Sequence, residues 1–210
     1  MKKALIVTVF VALAGVMSAQ GLFFGPQIGF SRVSFIEKNA LGTVDQNFKL
    51  GYQVGAAAEF EVMSFIYVGA SVCFFQKGQK IVGDDYKSKL KLGYIDVPLY
   101  VGYKVPLGNI SVFGNVGPYT SVAIVGESYY YSDMGGIVFE ETHDVELGGD
   151  TGWYKRFDTG VTIGGGFEFK QYQIKANYSL GFVDIVPGDW VSAKNSVFNI
   201  TATYFIGRDY

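Results

Sequence analysis

The sequence predicts an all-β fold: an eight-stranded antiparallel up-and-down transmembrane β-barrel behind an N-terminal signal peptide. Three observations predict it. Apolar and polar residues alternate with period two in eight segments along the chain, the pattern of strands whose faces meet different surroundings. The connections alternate strictly between short and long, as in a barrel with one plain and one elaborated end. Lys2 and Lys3, the apolar run Ala4–Val16 and the small residues Ser18 and Ala19 have the layout of an export signal.

The elements follow in order. The run Ala4–Val16 is short for a spanning helix, which needs about 20 residues. Residues 1–20 are expected to be signal peptide, cut near Ser18–Gln20, although Met17 suits a small-x-small site poorly. Residues 21–210 are then the barrel domain. The first strand is expected over Leu22–Phe35. The second, Phe48–Val62, sets Tyr52, Val54, Ala56 and Phe60 against Lys49, Gln53, Glu59 and Glu61. The third is Phe65–Lys77. The fourth runs from about Lys87 to Val105, with a change of parity and a bulge expected near Leu92–Gly93. Within it, "YIDVPLYVGYKV" carries Pro98, which removes one ladder bond and predicts a bulge or a bridging water in place of regular pairing. The remaining strands are expected over Asn109–Val125, Phe157–Phe169, Tyr172–Phe182 and Ser196–Ile206. Met63–Ser64, Val105–Gly108 and Lys170–Gln171 read as tight turns. Ile36–Asn47, Gly78–Tyr86, Gly126–Arg156 and Val183–Asn195 read as long loops.

Side-chain size decides which face is inside. The apolar face carries Phe, Tyr, Leu, Ile and Val; the other carries Gly, Ser, Thr, Ala, Asn and isolated charges. An eight-stranded barrel leaves room inside for little more than side chains, so the small and polar face belongs in the lumen. The reversed arrangement would be a lipocalin-like soluble barrel around an apolar ligand. Against it stand Phe24, Phe60, Tyr103, Phe169, Tyr172 and Tyr204, which gather at the short-turn end like an interfacial aromatic girdle. Arginine is accordingly expected to be much more harmful at Val54 than at Gln53 or Ser71, where it can seek a carboxylate. An even strand number puts both termini on the periplasmic side of an outer membrane.

Composition excludes several functions. Charged residues make up 17% of the chain and the formal net charge is −2, which offers nucleic acid nothing. Cys73 alone allows neither an internal disulfide nor a cysteine-rich metal site. His143 is the single histidine; no serine stands beside a base and an acid, and no Lys-Ser/Thr follows Gly164–Gly166 to complete a phosphate loop. No catalytic residue, metal site or cofactor is expected.

Two constellations remain. The lumen set is Lys49, Glu59, Glu61, Lys77, Asp96, Lys104, Glu168 and Lys175, read as a salt-bridged network filling the barrel in preference to a conducting path. The outer set lies in the longest connection: Tyr129, Tyr130 and Tyr131, then Glu140, Glu141, Asp144, Glu146 and Asp150. It suits contact with lipopolysaccharide, bridged by divalent cations, or with a protein ligand.

Four stretches carry a family resemblance. "YIDVPLYVGYKV" (Tyr94–Val105), "VFGNVGPYTSVAI" (Val112–Ile124), "RFDTGVTIGGGFEF" (Arg156–Phe169) and "NYSLGFVDI" (Asn177–Ile185) resemble, in that order, the strands of PorT-like outer-membrane β-barrel proteins. The resemblance spans essentially the whole mature chain. It implies an outer-membrane barrel of eight strands, delivered by the barrel-assembly machinery, and no reaction. The functions in view are a structural or interaction barrel working through its outer loops, a narrow pore or secretion-associated component, and a lipid-acting enzyme. The last has only His143 to offer near the outer rim.

Overall fold

The computed structural model describes residues 21–39, 42–45, 49–82, 86–134, 137–148, 155–184 and 192–208. The expected signal peptide, residues 1–20, lies outside them. The strands are β1 (Leu22–Asn39), β2 (Gly42–Asp45), β3 (Lys49–Met63), β4 (Ile66–Val82), β5 (Tyr86–Leu107), β6 (Ile110–Met134), β7 (Ile137–Asp144), β8 (Phe157–Phe169), β9 (Tyr172–Gly181) and β10 (Ser192–Tyr204). Eight of them form a ring in the order β1-β3-β4-β5-β6-β8-β9-β10. Every neighbour is antiparallel, and β10 closes on β1 from Gln27↔Thr203 to Lys38↔Ser192. Closure gives each strand two partners, which backbone groups require where lipid offers none.

At one end the hairpins turn in two residues. Gly108 takes φ +66° between β5 and β6, and Lys170 takes φ 51° between β8 and β9. Positive φ at such turns matches the twist of the flanking strands. The aromatic girdle sits here. Phe65 stacks on Tyr103 at 5.9 Å and Tyr172 packs against Tyr204 at 5.3 Å.

The two faces sort as side-chain size requires. Phe30 is 76% exposed on the outer face of β1, while Gln27 and Ser31 on the same strand are buried in the lumen. Val54, Val68, Leu99, Val116, Ile163 and Ile200 continue the apolar exterior around the ring. A contiguous apolar belt of this extent belongs in hydrocarbon, and the polar lumen excludes the lipocalin-like arrangement. Val54→Arg is expected to cost about 2–4 kcal/mol, measured by refolding into lipid vesicles. The contrast with Gln53 and Ser71 narrows. Gln53 donates to Gln27 and Ser71 is 4% exposed, so an inward arginine meets a filled lumen there.

The filling depends on cross-strand fits between tyrosine and glycine. Tyr67 of β4 pairs with Gly102 of β5, and Tyr100 pairs in return with Gly69. A Cβ on Gly102 would come within 2.3 Å of the Tyr67 ring, and one on Gly69 equally close to Tyr100. Each ring lies over the backbone that its neighbour leaves bare.

Three expectations about pairing change. Even-numbered residues of β5 point inward from Leu90 to Lys104, with Leu90, Leu92, Tyr94 and Tyr100 buried, so β5 keeps its parity. The bulge lies on β6 instead: Gly93 pairs with Val125 and Tyr94 with Ala123, leaving Ile124 unpaired. Ile124 and Val125 consequently both face outward. At Pro98 the β4–β5 ladder breaks between Ala70↔Leu99 and Cys73↔Asp96 and resumes in the same register. It is a gap without a bulge, as a missing N–H alone requires. The third change concerns the long connections. β4 runs to Val82 and β5 starts at Tyr86; β2 folds back on β1; and the Gly126–Arg156 segment holds a hairpin, β6 pairing with β7 from Glu127↔Asp144 to Met134↔Ile137. The barrel wall thus continues past the apolar belt as sheet.

Candidate functional site

Two charged clusters occupy the lumen. Near the short-turn end, Glu59 and Glu61 of β3, Lys104 of β5 and Glu168 of β8 converge because their strands' inward parities meet at one level. The Lys104 ammonium lies 3.1 Å from Glu168 and 3.7 Å from Glu59 and from Glu61. Arg208 joins them, its guanidinium 3.0 Å from Glu59 and hydrogen-bonded to Glu168. The chain beyond β10 is steered there by two backbone bonds, Phe205 N–H to Gln171 and Ile206 N–H to Phe24, and by a turn at Gly207 with φ +78°. The guanidinium is fully buried between the Phe23 and Phe205 rings, 4.4 and 4.3 Å from their centroids. Gln173 donates to Glu59 at 2.9 Å and to Glu168 at 3.2 Å. The carboxylates are thereby paired and hydrogen-bonded together, as buried charges must be.

The second cluster lies toward the long-loop end. Lys77 of β4 reaches Asp158 at 3.5 Å, Asp96 at 3.7 Å and the Ser121 hydroxyl at 3.1 Å. The rings of Phe75, Tyr94 and Tyr119 surround its ammonium at 5.2, 4.7 and 5.3 Å. Asp158 also accepts from Asn195 at 2.7 Å and from Tyr119 at 3.1 Å. Lys175 stands between the clusters, 4.2 Å from the Tyr100 ring centroid. The side chain of Lys49 lies outside the described residues.

Seven of the eight lumen residues expected from sequence therefore fall where described, and six join the two ion-paired clusters. Two partners were missed. Asp158 shares the parity of Gly160, Thr162 and Glu168 and was legible from that alternation. Arg208 follows the last strand, where no periodicity points inward.

The second candidate site is the sheet above the belt. On β5 the outer face reads Val105, Tyr103, Val101, Leu99, Val97 and Ile95, then Gly93, then Lys91, Lys89 and Lys87. Lys91 pairs with Glu127 of β6 at 2.7 Å, Lys89 lies 5.3 Å over the Tyr129 ring, and Lys87 is in register with Tyr131. β7 adds the next row: Asp144 opposite Glu127, Thr142 opposite Tyr129, Glu140 opposite Tyr131. Partial desolvation on the sheet and the Glu140 carboxylate raise the Tyr129 hydroxyl above its ordinary pKa. Tyr130 is exposed on the other face. Glu141 meets His143 at 3.0 Å, both exposed, and Asp144 and Glu146 border a cleft with Arg156 at the foot of the hairpin. Asp150 lies outside the described residues. Among the described residues the acids spread along β7 and beyond it, and no three converge as metal ligands.

An antiparallel ring of eight strands with an apolar belt outside and ion pairs inside defines a transmembrane β-barrel. The chain belongs to the outer membrane protein beta-barrel domain family, whose model matches residues 18–186. It is similar to the crystal structure of Ail, the attachment invasion locus protein of Yersinia pestis, at 17% identity over 89% of this chain and 99% of that one, with a TM-score of 0.46. It is also similar to Neisserial surface protein A, at 10% identity over 88% and 97% of the two chains, with a TM-score of 0.45. The N-terminal β-barrel domain of Pseudomonas aeruginosa OprF matches at 7% identity over 88% and 98%, with a TM-score of 0.30. No curated protein matches the chain. This is a small outer-membrane β-barrel protein.

Proposed function

We propose that the protein is a non-enzymatic barrel with both termini in the periplasm, anchored by a closed lumen and acting through its outer sheet on the anionic surface of the outer leaflet. The four ordered motifs support a PorT-like member of the family. The observation that carries the functional reading is the change on the outer face of β5, from apolar up to Ile95 to basic from Lys91. Six outward apolar positions along a strand tilted about 40° climb close to the apolar band of about 25 Å that such barrels present. Lys91, Lys89 and Lys87 then stand at the level of the headgroup phosphates, with Tyr129 and Tyr131 beside them as amphipathic interfacial side chains. Lipopolysaccharide offers phosphates at that height. Each lysine near such a surface contributes about 1 kcal/mol.

The test is a triple variant, Lys87→Gln, Lys89→Gln and Lys91→Gln. The wild-type barrel in neutral micelles should show a higher heat-modifiability midpoint as lipopolysaccharide is added. The triple variant should fold and lose most of that rise. Equal responses from the two proteins would remove the lysine stripe from the function. The pore reading has less in its favour, since ion-paired clusters cross the lumen at two levels and the space between them is small.

A further inference from the structure

We infer that the mid-lumen chamber is a binding site for one small, halide-sized anion held by Lys175. The chamber lies between the two ion-paired clusters and has a volume of about 30 Å³. That is room for one or two water-sized occupants. Lys175 of β9 lines it and is 4% exposed. Among the described residues no carboxylate lies within ion-pair distance of its ammonium and no side chain accepts a hydrogen bond from it; the ammonium sits over the Tyr100 ring face at 4.2 Å. Every other described cation of the lumen has carboxylates at hand: Lys77 has Asp96 and Asp158, while Lys104 and Arg208 have Glu59, Glu61 and Glu168.

The lining holds the donors that an anion needs beside the ammonium. The Tyr100 hydroxyl is buried and has no acceptor. Asn115, Thr162, Asn177 and Asn199 bring amide and hydroxyl donors to the same space. Asn177 is already oriented by donating to Asn199 at 3.0 Å, and Asn115 by donating to Tyr67 at 3.3 Å. Asp96 is the carboxylate on the lining. Its oxygen accepts from Ser121 and faces Lys77, so it is engaged toward the upper cluster. A buried ammonium with no carboxylate in ion-pair reach is strongly unfavourable. A monatomic anion supplies the missing charge and an acceptor for the tyrosyl hydroxyl within the volume available. Polyatomic anions such as gluconate are too large for it.

The experiment uses the full mature barrel refolded in neutral micelles. Its heat-modifiability midpoint is followed as chloride or bromide replaces gluconate at constant ionic strength. The wild-type midpoint should rise with the logarithm of halide concentration, as linkage to a native-state site demands. Lys175→Met, which keeps the length of the side chain and removes the charge, should fold and be indifferent to halide. A crystal grown with bromide should show an anomalous peak beside the Lys175 ammonium. A midpoint that responds alike to gluconate and halide, or a bromide crystal with no peak in the chamber, would overturn the site and leave a neutral amine among waters. Lys175→Gln provides a second readout if Lys175→Met fails to fold, since it also lacks the charge and should lose the halide response.

Discussion

Arg208→Met should destabilise the barrel by about 3–5 kcal/mol, the usual consequence of removing one partner from a buried charge network. The substitution leaves Glu59, Glu61 and Glu168 facing Lys104 alone. The loss is large because the guanidinium has no solvent to fall back on: it lies between Phe23 and Phe205 and meets carboxylates from opposite sides of the ring, Glu59 and Glu61 on β3 and Glu168 on β8. It also ties the chain after β10 to β3 and β8, across the seam where β10 meets β1. Urea unfolding in lipid vesicles measures the effect. Combining Arg208→Met with Glu168→Gln should recover part of it, because one of the stranded charges is then gone. An unchanged midpoint for the single variant would mean that the C-terminal segment contributes nothing to closure.

Much of the barrel was legible because lipid and lumen impose opposite demands on alternate residues. Val54 and Gln53, or Leu99 and Tyr100, declare their faces by size and polarity, and the two-residue turns are marked by the abrupt ends of that alternation. The same logic fails where the demand disappears. β7 is exposed on both faces from Val138 to Asp144, so it reads IVFEETHD without a period of two, and Tyr129–Tyr131 read as loop residues although they extend β6. Aromatic and β-branched residues there carried the strand signal; hydropathy did not. On β5 an apolar face switched sides at Leu92 because Leu90 and Leu92 pack inward against Tyr94 and Ala123; the bulge does fall at that level, but the extra residue is on the facing strand β6. The lumen network was legible strand by strand, as Asp158 shows, but the pairing of Lys77 with Asp158 or of Arg208 with Glu59 depends on the ring's stagger. No local pattern encodes that stagger.

The largest effect expected outside the membrane comes from removing the outer hairpin. Tyr129 and Thr142 are directly paired across β6 and β7, and the next pair down, Ser128↔His143, would hold the cut ends together. Excising Tyr129–Thr142 and bridging with a short Gly-Ser turn therefore needs no rearrangement below. Val145 and Leu147 must stay, because they pack on the inward cluster of Leu90, Leu92, Tyr94 and Ala123. An excision reaching Gly152 would strip that cover and mix two effects. The ring closes through β6–β8 pairs from Val122↔Phe157 downward, all beneath the excised part, and of the β5 residues that lose their β6 partners, Lys87, Ser88 and Lys89 stay paired to β4. Barrel assembly and heat-modifiability should thus survive. The stabilisation by added lipopolysaccharide should fall toward that of the triple-lysine variant, because Lys89 loses the Tyr129 ring beneath it and Lys87 loses the neighbouring Tyr131. A variant that no longer assembles would show that the hairpin serves folding of the wall. One that assembles and keeps the full lipopolysaccharide response would confine recognition to β5 and deny the hairpin any part in it.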